Sequence, residues 1–134
     1  MHFLIDTNIL IYRLKNMGNV NENFLKYQDN PMSILVISYG ELLFGAEKSQ
    51  AVEKDLATVQ RIKSIFPLFD IISEIMEVYA KTKAYMQKMG KTTDDMDLLI
   101  ASIAIANNLI LVTHNTKHFN IFLSCNSLIG FDMR

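Results

Sequence analysis

Short runs of apolar residues alternate along this chain with longer stretches in which apolar residues recur every three or four positions. The runs predict buried β-strands at residues 2–5, 33–37, 68–72 and 109–113, and an edge strand at residues 127–131. The stretches predict helices at residues 9–14, 24–28, 38–46, 52–66, 74–89 and 94–106. Residues 16–23 are rich in Asn and Gly and predict a loop, and Gly90 is expected to end a helix.

This alternation predicts an α/β fold: a three-layer α/β/α domain with a central, mainly parallel sheet. The predicted strands are continuously apolar, which is typical of a sheet buried on both faces. The segment 94–106 is apolar all round after its first turn, so we expect a buried helix there. A chain of 134 residues suits a single domain, and we expect residues 1–134 to form it.

Composition narrows the class of protein. Half of the residues are apolar, a fifth are charged and the net charge is −1. A protein that binds nucleic acid by charge alone is usually basic, so any such binding here must rest on local patches or bound cations. The single cysteine, Cys125, fits a reducing compartment, and no apolar stretch reaches the roughly 20 residues of a membrane span. We therefore expect a cytoplasmic protein without a membrane partner.

Acidic residues follow the predicted strands at the points where those strands end. Asp6 follows the first strand, Glu41 comes shortly after the second, and Asp97 lies in the first turn of the buried helix. Thr113 ends the fourth strand. Ligands of open parallel sheets bind at the carboxyl ends of the strands. We therefore expect the three carboxylates to meet at one edge of the sheet.

Helix capping is the simpler explanation for each acid taken alone. Asp6 suits the N-cap of the first helix, and Asp94 suits the N-cap of the buried one. Ser38 and Glu41 have the spacing of a capping box. Gathered at one edge, however, the acids would repel, and a hard cation that prefers oxygen ligands would neutralise them. Capping and metal binding are compatible, because a helix start holds an acid rigidly.

A cation at these acids would support hydrolysis by metal-activated water, without a covalent intermediate. Other chemistries have weaker support. His114 and His118 are four residues apart but lack the glutamate of the usual zinc motif, and Cys125 has no histidine near it in sequence. No glycine-rich phosphate loop is present.

Four segments, in order, resemble the VapC-type toxins of the PIN-domain ribonuclease family, from near residue 1 to about residue 131. The segments are FLIDTN at 3–8, ISYGELLFG at 37–45, DMDLLIA at 95–101 and LVTHNTKHF at 111–119. The resemblance implies that Mg²⁺ or Mn²⁺ is held by Asp6, Glu41 and Asp97. It implies supporting roles for Asp95, Thr7, Thr113 and Asn115. Asn115 stands where the family often has a fourth acid, which favours one tightly held ion and a second recruited by RNA.

The resemblance also implies a substrate and partners. Such proteins cleave structured RNA, typically tRNA, form homodimers, and are blocked at the active site by a cognate VapB-type antitoxin. Basic residues near the predicted site that would contact RNA phosphates are Arg13, Lys15, Lys88, Lys91 and Lys117. The alternative for these side chains is a solvated helix face.

Three other functions fit parts of the pattern. A phosphatase of the haloacid-dehalogenase kind needs an aspartate two residues after the first, where this chain has Asn8. A receiver domain needs an acidic pair near the end of the first strand, which is absent from the sequence. A non-catalytic PIN-like binding module of RNA or protein stays open because Asn115 adds no charge.

Overall fold

The computed structural model describes residues 2–15, 20–92, 94–113 and 127–129. Its described part contains the strands β1 (Phe3–Ile5), β2 (Met32–Leu35), β3 (Leu68–Phe69), β4 (Ile110–Thr113) and β5 (Ser127–Ile129). Its helices are α1 (Thr7–Leu14), α2 (Val20–Lys26), α3 (Val36–Glu47), α4 (Val52–Ile65), α5 (Ser73–Lys88) and α6 (Asp95–Ala106). The strands form one sheet in the order β3-β2-β1-β4-β5, and every pair is parallel. The predicted α/β class and the edge position of the last strand are confirmed.

Two apolar cores join the sheet to the helices, one on each face of the sheet. Phe3 and Ile5 belong to the core that α1, α2, α3 and α4 cover, whereas Leu4 belongs to the core under α5 and α6. Successive side chains of a strand point to opposite faces, so one short strand contributes to both cores. The three-layer arrangement is confirmed, and β1 lies at its centre between β2 and β4.

The buried helix predicted at residues 94–106 is α6. Its buried residues include Leu98, Ile100, Ala101, Ile103 and Ala104. These apolar residues pack in the core that lies beneath α5 and α6. Within the described part of the chain, none of the helices combines the length and apolar character needed to cross a bilayer.

One departure from the predicted elements lies at the end of β2. The strand stops at Leu35 and α3 begins at Val36, whereas the apolar run predicts an extended segment over residues 33–37. Val36 and Ile37 pack against the core beneath α5 and α6 from the first turn of the helix. A short apolar run satisfies a buried strand and a buried helix start equally well, so periodicity cannot place this boundary.

Two other departures from the predicted elements concern the third strand and the second helix. The third strand covers only Leu68–Phe69, and α2 begins at Val20, inside the segment predicted as a loop. Residues 16–19 of that segment lie outside the described residues. Asn is a poor helix former on average, but packing overrides such a preference. Here Phe24 of α2 is buried against Phe66, with ring centroids 6.0 Å apart.

The predicted capping box at α3 is wrong. Leu35 is the N-cap residue, and no side chain caps the helix there. Ser38 is inside the first turn and buried, and Glu41 lies in the second turn. Neither side chain is therefore needed to satisfy the first backbone N–H groups of the helix, and another reason is required for their presence.

A Schellman motif ends α5 and leads the chain toward α6. Gly90 has a φ of 71°, a conformation that glycine adopts without steric cost. The N–H of Gly90 donates to the carbonyl of Gln87 at 3.0 Å, and the N–H of Lys91 donates to Met86 at 2.9 Å. The prediction that Gly90 stops this helix is confirmed, and the turn brings Lys91 close to the start of α6.

Candidate active site

Asp6 is held from both sides at the carboxyl end of the central strand. It is the N-cap residue of α1, and its Oδ1 accepts a hydrogen bond from the backbone N–H of Thr7 at 2.8 Å. Its Oδ2 accepts from the hydroxyl of Thr113, at the end of β4, at 2.9 Å. Its own backbone N–H donates to the carbonyl of Val112 at 2.9 Å. Both carboxylate oxygens are thus oriented by elements that belong to the sheet and to the first helix.

Burial nevertheless raises the pKa of the Asp6 carboxyl above its ordinary value. The hydrogen bonds from Thr113 and Thr7 favour the charged form and oppose this rise, while the negative charge of Asp97 adds to it. The side chain is therefore oriented well and solvated poorly. A carboxylate in this condition is stabilised by any cation that approaches it.

Glu41 joins the same edge from α3. Its Oε1 accepts a hydrogen bond from the Thr7 hydroxyl at 3.2 Å, so Thr7 touches both acids: its N–H contacts Asp6 and its hydroxyl contacts Glu41. Partial burial of the carboxylate raises the pKa of Glu41, and the hydrogen bond from Thr7 opposes this rise. The negative charges of Asp6, Asp97 and Asp94 raise the pKa further. The three acids predicted from the sequence are thus close enough to repel one another.

The second acid of α6 that acts on Glu41, beside the predicted Asp97, is Asp94 and not Asp95. The negative charges that act on Glu41 include those of Asp94 and Asp97 but not that of Asp95. Asp94 is the N-cap residue of α6 and Asp97 its third residue, and a spacing of three brings the side chains of these two positions near each other at a helix start. The sequence favours Asp94 as a cap only, yet it makes no side-chain cap bond. The spacing rule, applied to the run Asp94-Asp95-Met96-Asp97, identifies it as a neighbour of the site.

Asp95 is occupied by partners on α5. Its Oδ1 accepts hydrogen bonds from the Tyr79 hydroxyl at 2.9 Å and from the Lys83 ammonium at 3.0 Å. The Lys83 ammonium also donates to the Tyr79 oxygen at 3.2 Å. The hydrogen bonds from Lys83 and then from Tyr79 lower the pKa of Asp95. Its contacts are those of a residue that ties two helices together, not of a supporting acid at the edge.

The donor set of the edge fits a hard divalent cation. Carboxylate oxygens are the ligands that Mg²⁺ and Mn²⁺ prefer, and Mg²⁺ commonly keeps several waters and a substrate phosphate in its coordination sphere. Over residues 2–15, 20–92 and 94–113, no three His, Cys, Asp or Glu side chains converge tightly enough to enclose an ion by themselves. The acids line an open edge, which leaves room for water and phosphate ligands. Asn115 and Lys117 lie outside the described residues.

The predicted basic residues fall at different distances from this edge. Lys91 lines a cavity of about 140 Å³ that Lys83 and Asp95 also line, at the start of α6. Lys15 and Glu41 both line a groove of about 480 Å³ between α1, α3 and α4. Lys88 is exposed in the last turn of α5.

Arg13 lies at the end of α1 that is remote from the acids. Its guanidinium lies over the Phe24 ring, 4.4 Å from the centroid, in a cavity that Asn30 and Met32 also line. Met32 begins β2 and pairs with Phe3, the first residue of β1. This cavity is therefore at the amino edge of the strands, opposite to Asp6, and the structure does not bring Arg13 to the carboxylates.

Comparisons with known proteins agree with this geometry. The family model described as "PIN domain" matches residues 3–121. The chain is 32% identical over 120 residues to the tRNA(fMet)-specific endonuclease VapC of Shigella flexneri, covering 89% of this chain and 90% of that relative. It is 31% identical over 124 residues to Ribonuclease VapC2 of Haemophilus influenzae, with the same shares of the two chains. A DNA-bound VapBC structure from Salmonella typhimurium is 29% identical, with a TM-score of 0.87 over 96% of this chain and 97% of that one. This chain belongs to the PIN-domain family and, within it, to the VapC ribonucleases.

Proposed function

We propose that this protein is a divalent-metal-dependent endoribonuclease, the toxin of a toxin–antitoxin pair, and that it hydrolyses a phosphodiester in structured cytoplasmic RNA of the tRNA class. The observation that carries the proposal is the meeting of Asp6, Glu41 and Asp97 at one edge of the sheet. Two of these acids have raised pKa values because burial and the neighbouring charges act on them together. Carboxylates with pKa values perturbed in this way are typical of functional sites.

Each acid has a distinct part in this proposal. Asp6 is partly buried and pinned at both oxygens, so it would hold Mg²⁺ or Mn²⁺ from the sheet side. Glu41 is exposed, so it would hold the ion from the side that faces solvent and substrate. Thr7 and Thr113 orient these two carboxylates by donating hydrogen bonds. A bound divalent ion supplies an activated water and neutralises charge on the phosphate and the leaving oxygen.

RNA binding by a chain of net charge −1 depends on the cation and on local basic residues. Lys15 has the best placement, because it shares a groove with Glu41, whereas Lys91 lines the cavity of Asp95, two residues from Asp97. Lys88 and Lys117 remain predicted contacts. The position of Arg13 at the opposite edge of the sheet gives no support to its predicted contact with RNA.

A groove beside Glu41 supports an antitoxin partner. It is lined by apolar side chains of α1, α3 and α4, namely Ile11, Leu14, Leu42, Ala46 and Val59. Leu14 is 47% exposed there, although it is apolar. A VapB-type segment lying in this groove would cover Glu41 and so close the acidic edge. The solved relatives described as VapBC are consistent with such a partner.

A homodimer is the second proposed assembly. Exposed apolar residues on and next to α5 support it: Ile72 is 53% exposed, Met76 42% and Met89 55%. Burial of such side chains against a second copy would remove apolar surface from water. Light scattering of the purified toxin would measure the mass directly, and a monomeric mass would contradict this part of the proposal.

The experiment that tests the function is cleavage of purified total tRNA with Mg²⁺ or Mn²⁺, with a chelator and the Asp97→Asn variant as controls. Discrete fragments that disappear in both controls would support metal-dependent hydrolysis at this edge. If the folded protein binds metal but does not cleave tRNA, its substrate belongs to another class of RNA. If the protein neither cleaves tRNA nor binds metal, the enzyme proposal fails and the non-catalytic binding module remains. Membership of the PIN family already removes the phosphatase and receiver alternatives.

A further inference from the structure

Ser38 has a buried hydroxyl for which the fold shows no use. The residue is 1% exposed, and its Oγ finds no hydrogen-bond partner within the part of the chain that the structure describes. Other buried serines are satisfied: Ser102 donates to the carbonyl of Leu98 at 2.7 Å, and Ser33 shares a 2.7 Å hydrogen bond with His2. A buried polar group without a partner is destabilising, and it persists where a ligand, an ion or a water completes it.

The position of Ser38 indicates which ligand that is. Ser38 and Glu41 are three residues apart on α3, so they lie on neighbouring parts of the same side of the helix. The hydrogen bond from Thr7 to Glu41 turns this side toward the start of α1. Asp6 is the N-cap residue there. Ser38 therefore lies on the turn of α3 before Glu41, buried near the side of the helix that approaches the start of α1.

The other hydroxyls at this edge already act on the acids. Thr7 donates to Glu41, and Thr113 donates to Asp6. We infer that Ser38 is a third positioning residue, whose hydroxyl bonds a water in the hydration shell of the divalent ion held by Asp6 and Glu41. Mg²⁺ retains such waters, and outer-shell hydrogen bonds to them fix the ion and its ligands. This inference rests on the proposed metal-dependent function and adds a residue to it.

The test measures metal affinity and stability separately. In the Ser38→Ala variant, the Kd for Mn²⁺ measured by calorimetry should rise roughly tenfold. The Tm of the same variant in chelator should stay unchanged or rise, because the substitution removes a buried hydroxyl that has no partner in the metal-free protein. The Ser38→Thr variant keeps a hydroxyl and should recover most of the affinity. Ser102→Ala is the matched control, since it removes a buried serine hydroxyl away from the edge and should leave the Kd unchanged.

The outcomes separate this inference from the function on which it rests. A wild-type protein that binds no Mn²⁺ would overturn both. Equal Mn²⁺ affinity in wild type and Ser38→Ala would overturn only the role of Ser38. A lower Tm in chelator with an unchanged Kd would show that the hydroxyl is a structural group. Weaker binding in Ser102→Ala as well would mean that any buried serine substitution disturbs the site, and the assignment to Ser38 would fall.

Discussion

Asp95 and Asp97 are two positions apart on α6, yet the structure places them in opposite electrostatic surroundings. Asp95 has 60% of its side chain exposed and accepts hydrogen bonds from Lys83 and Tyr79, which lower its pKa. Asp97 lies at the acidic edge, where its charge raises the pKa values of Asp6 and Glu41. One helix therefore contributes one carboxylate to a satisfied ion pair and another to a group of mutually repelling acids.

The difference shows how to tell a structural carboxylate from a functional one. The Asp95 pair is complete within the protein, because a cation on α5 neutralises it. The acids at the edge have hydroxyl donors, and their effect on one another is repulsive. A fold keeps such a cluster when something outside the protein completes it, and a divalent ion with a phosphate substrate does so.

The largest expected effect comes from removing the charge of Asp97, compared with removing that of Asp95. Asp97→Asn should reduce the rate of RNA cleavage by more than roughly 100-fold, since even outer-shell substitutions cost metal sites 10–100-fold. Asp95→Asn, its matched control on the same helix turn, should leave the rate nearly unchanged. Single-turnover cleavage of a labelled RNA measures both. Equal losses in the two variants would show that the two acids do not differ in function.

A smaller effect is expected from the hydroxyl that orients Asp6. Thr113→Val preserves most of the side-chain volume and removes the donor to Asp6 Oδ2. We expect the Mn²⁺ affinity to fall about tenfold. Thr58→Val is the control, because its hydroxyl donates to the carbonyl of Lys54 within α4 and not to a carboxylate. An unchanged Kd in Thr113→Val would mean that Asp6 needs no such orientation.

The repulsion at the edge should also appear in stability. The pKa of Asp6 is raised in the folded state, so the folded protein binds more protons than the unfolded chain once the pH exceeds the unfolded value of about 4. The free energy of unfolding of the metal-free protein should therefore fall as pH rises from that value to the folded pKa. Asp6→Asn should remove this contribution and stabilise the metal-free protein at pH 7 by about 1 kcal/mol.

Urea unfolding in chelator between pH 4 and pH 7 measures this effect. Asp95→Asn should change stability in the opposite direction and by much less, because the lowered pKa of Asp95 comes from an exposed pair that water and salt screen. A loss of stability in Asp6→Asn at every pH would show that the hydrogen bonds to Asp6 outweigh its burial.

The smallest expected effect comes from replacing Lys83, the cation that pairs with Asp95. Lys83→Met removes the partner of Asp95, but both side chains are substantially exposed, at 41% and 60%. Exposed ion pairs are screened by water and salt. We expect a change in unfolding free energy too small for urea titration to resolve at physiological salt. A clear destabilisation that persists at high salt would show that this network is more than a surface contact.

The acids at strand ends were predictable because a parallel sheet follows a simple rule. Apolar runs identify the strands, and the residue after a strand must lie at its carboxyl edge, so the sequence alone assigns Asp6 and Thr113 to one edge. The order of elements, the buried α6 and the stop at Gly90 also followed from local sequence patterns. These features depend on residues that are near one another in sequence.

Other features depended on which surfaces meet. The start of α3 at Val36, the position of Arg13 at the amino edge of the sheet and the partners of Asp95 follow from packing between different elements. The same is true of Ser38, whose pattern fits a helix cap equally well. The sequence by itself determined the strands, the buried helix and the edge at which the first acid lies. Only the tertiary structure decided which acids repel, which acid is paired and which hydroxyl is buried without a partner in the described part of the chain, because charge and hydrogen bonding act through space between residues whose distances no local pattern specifies.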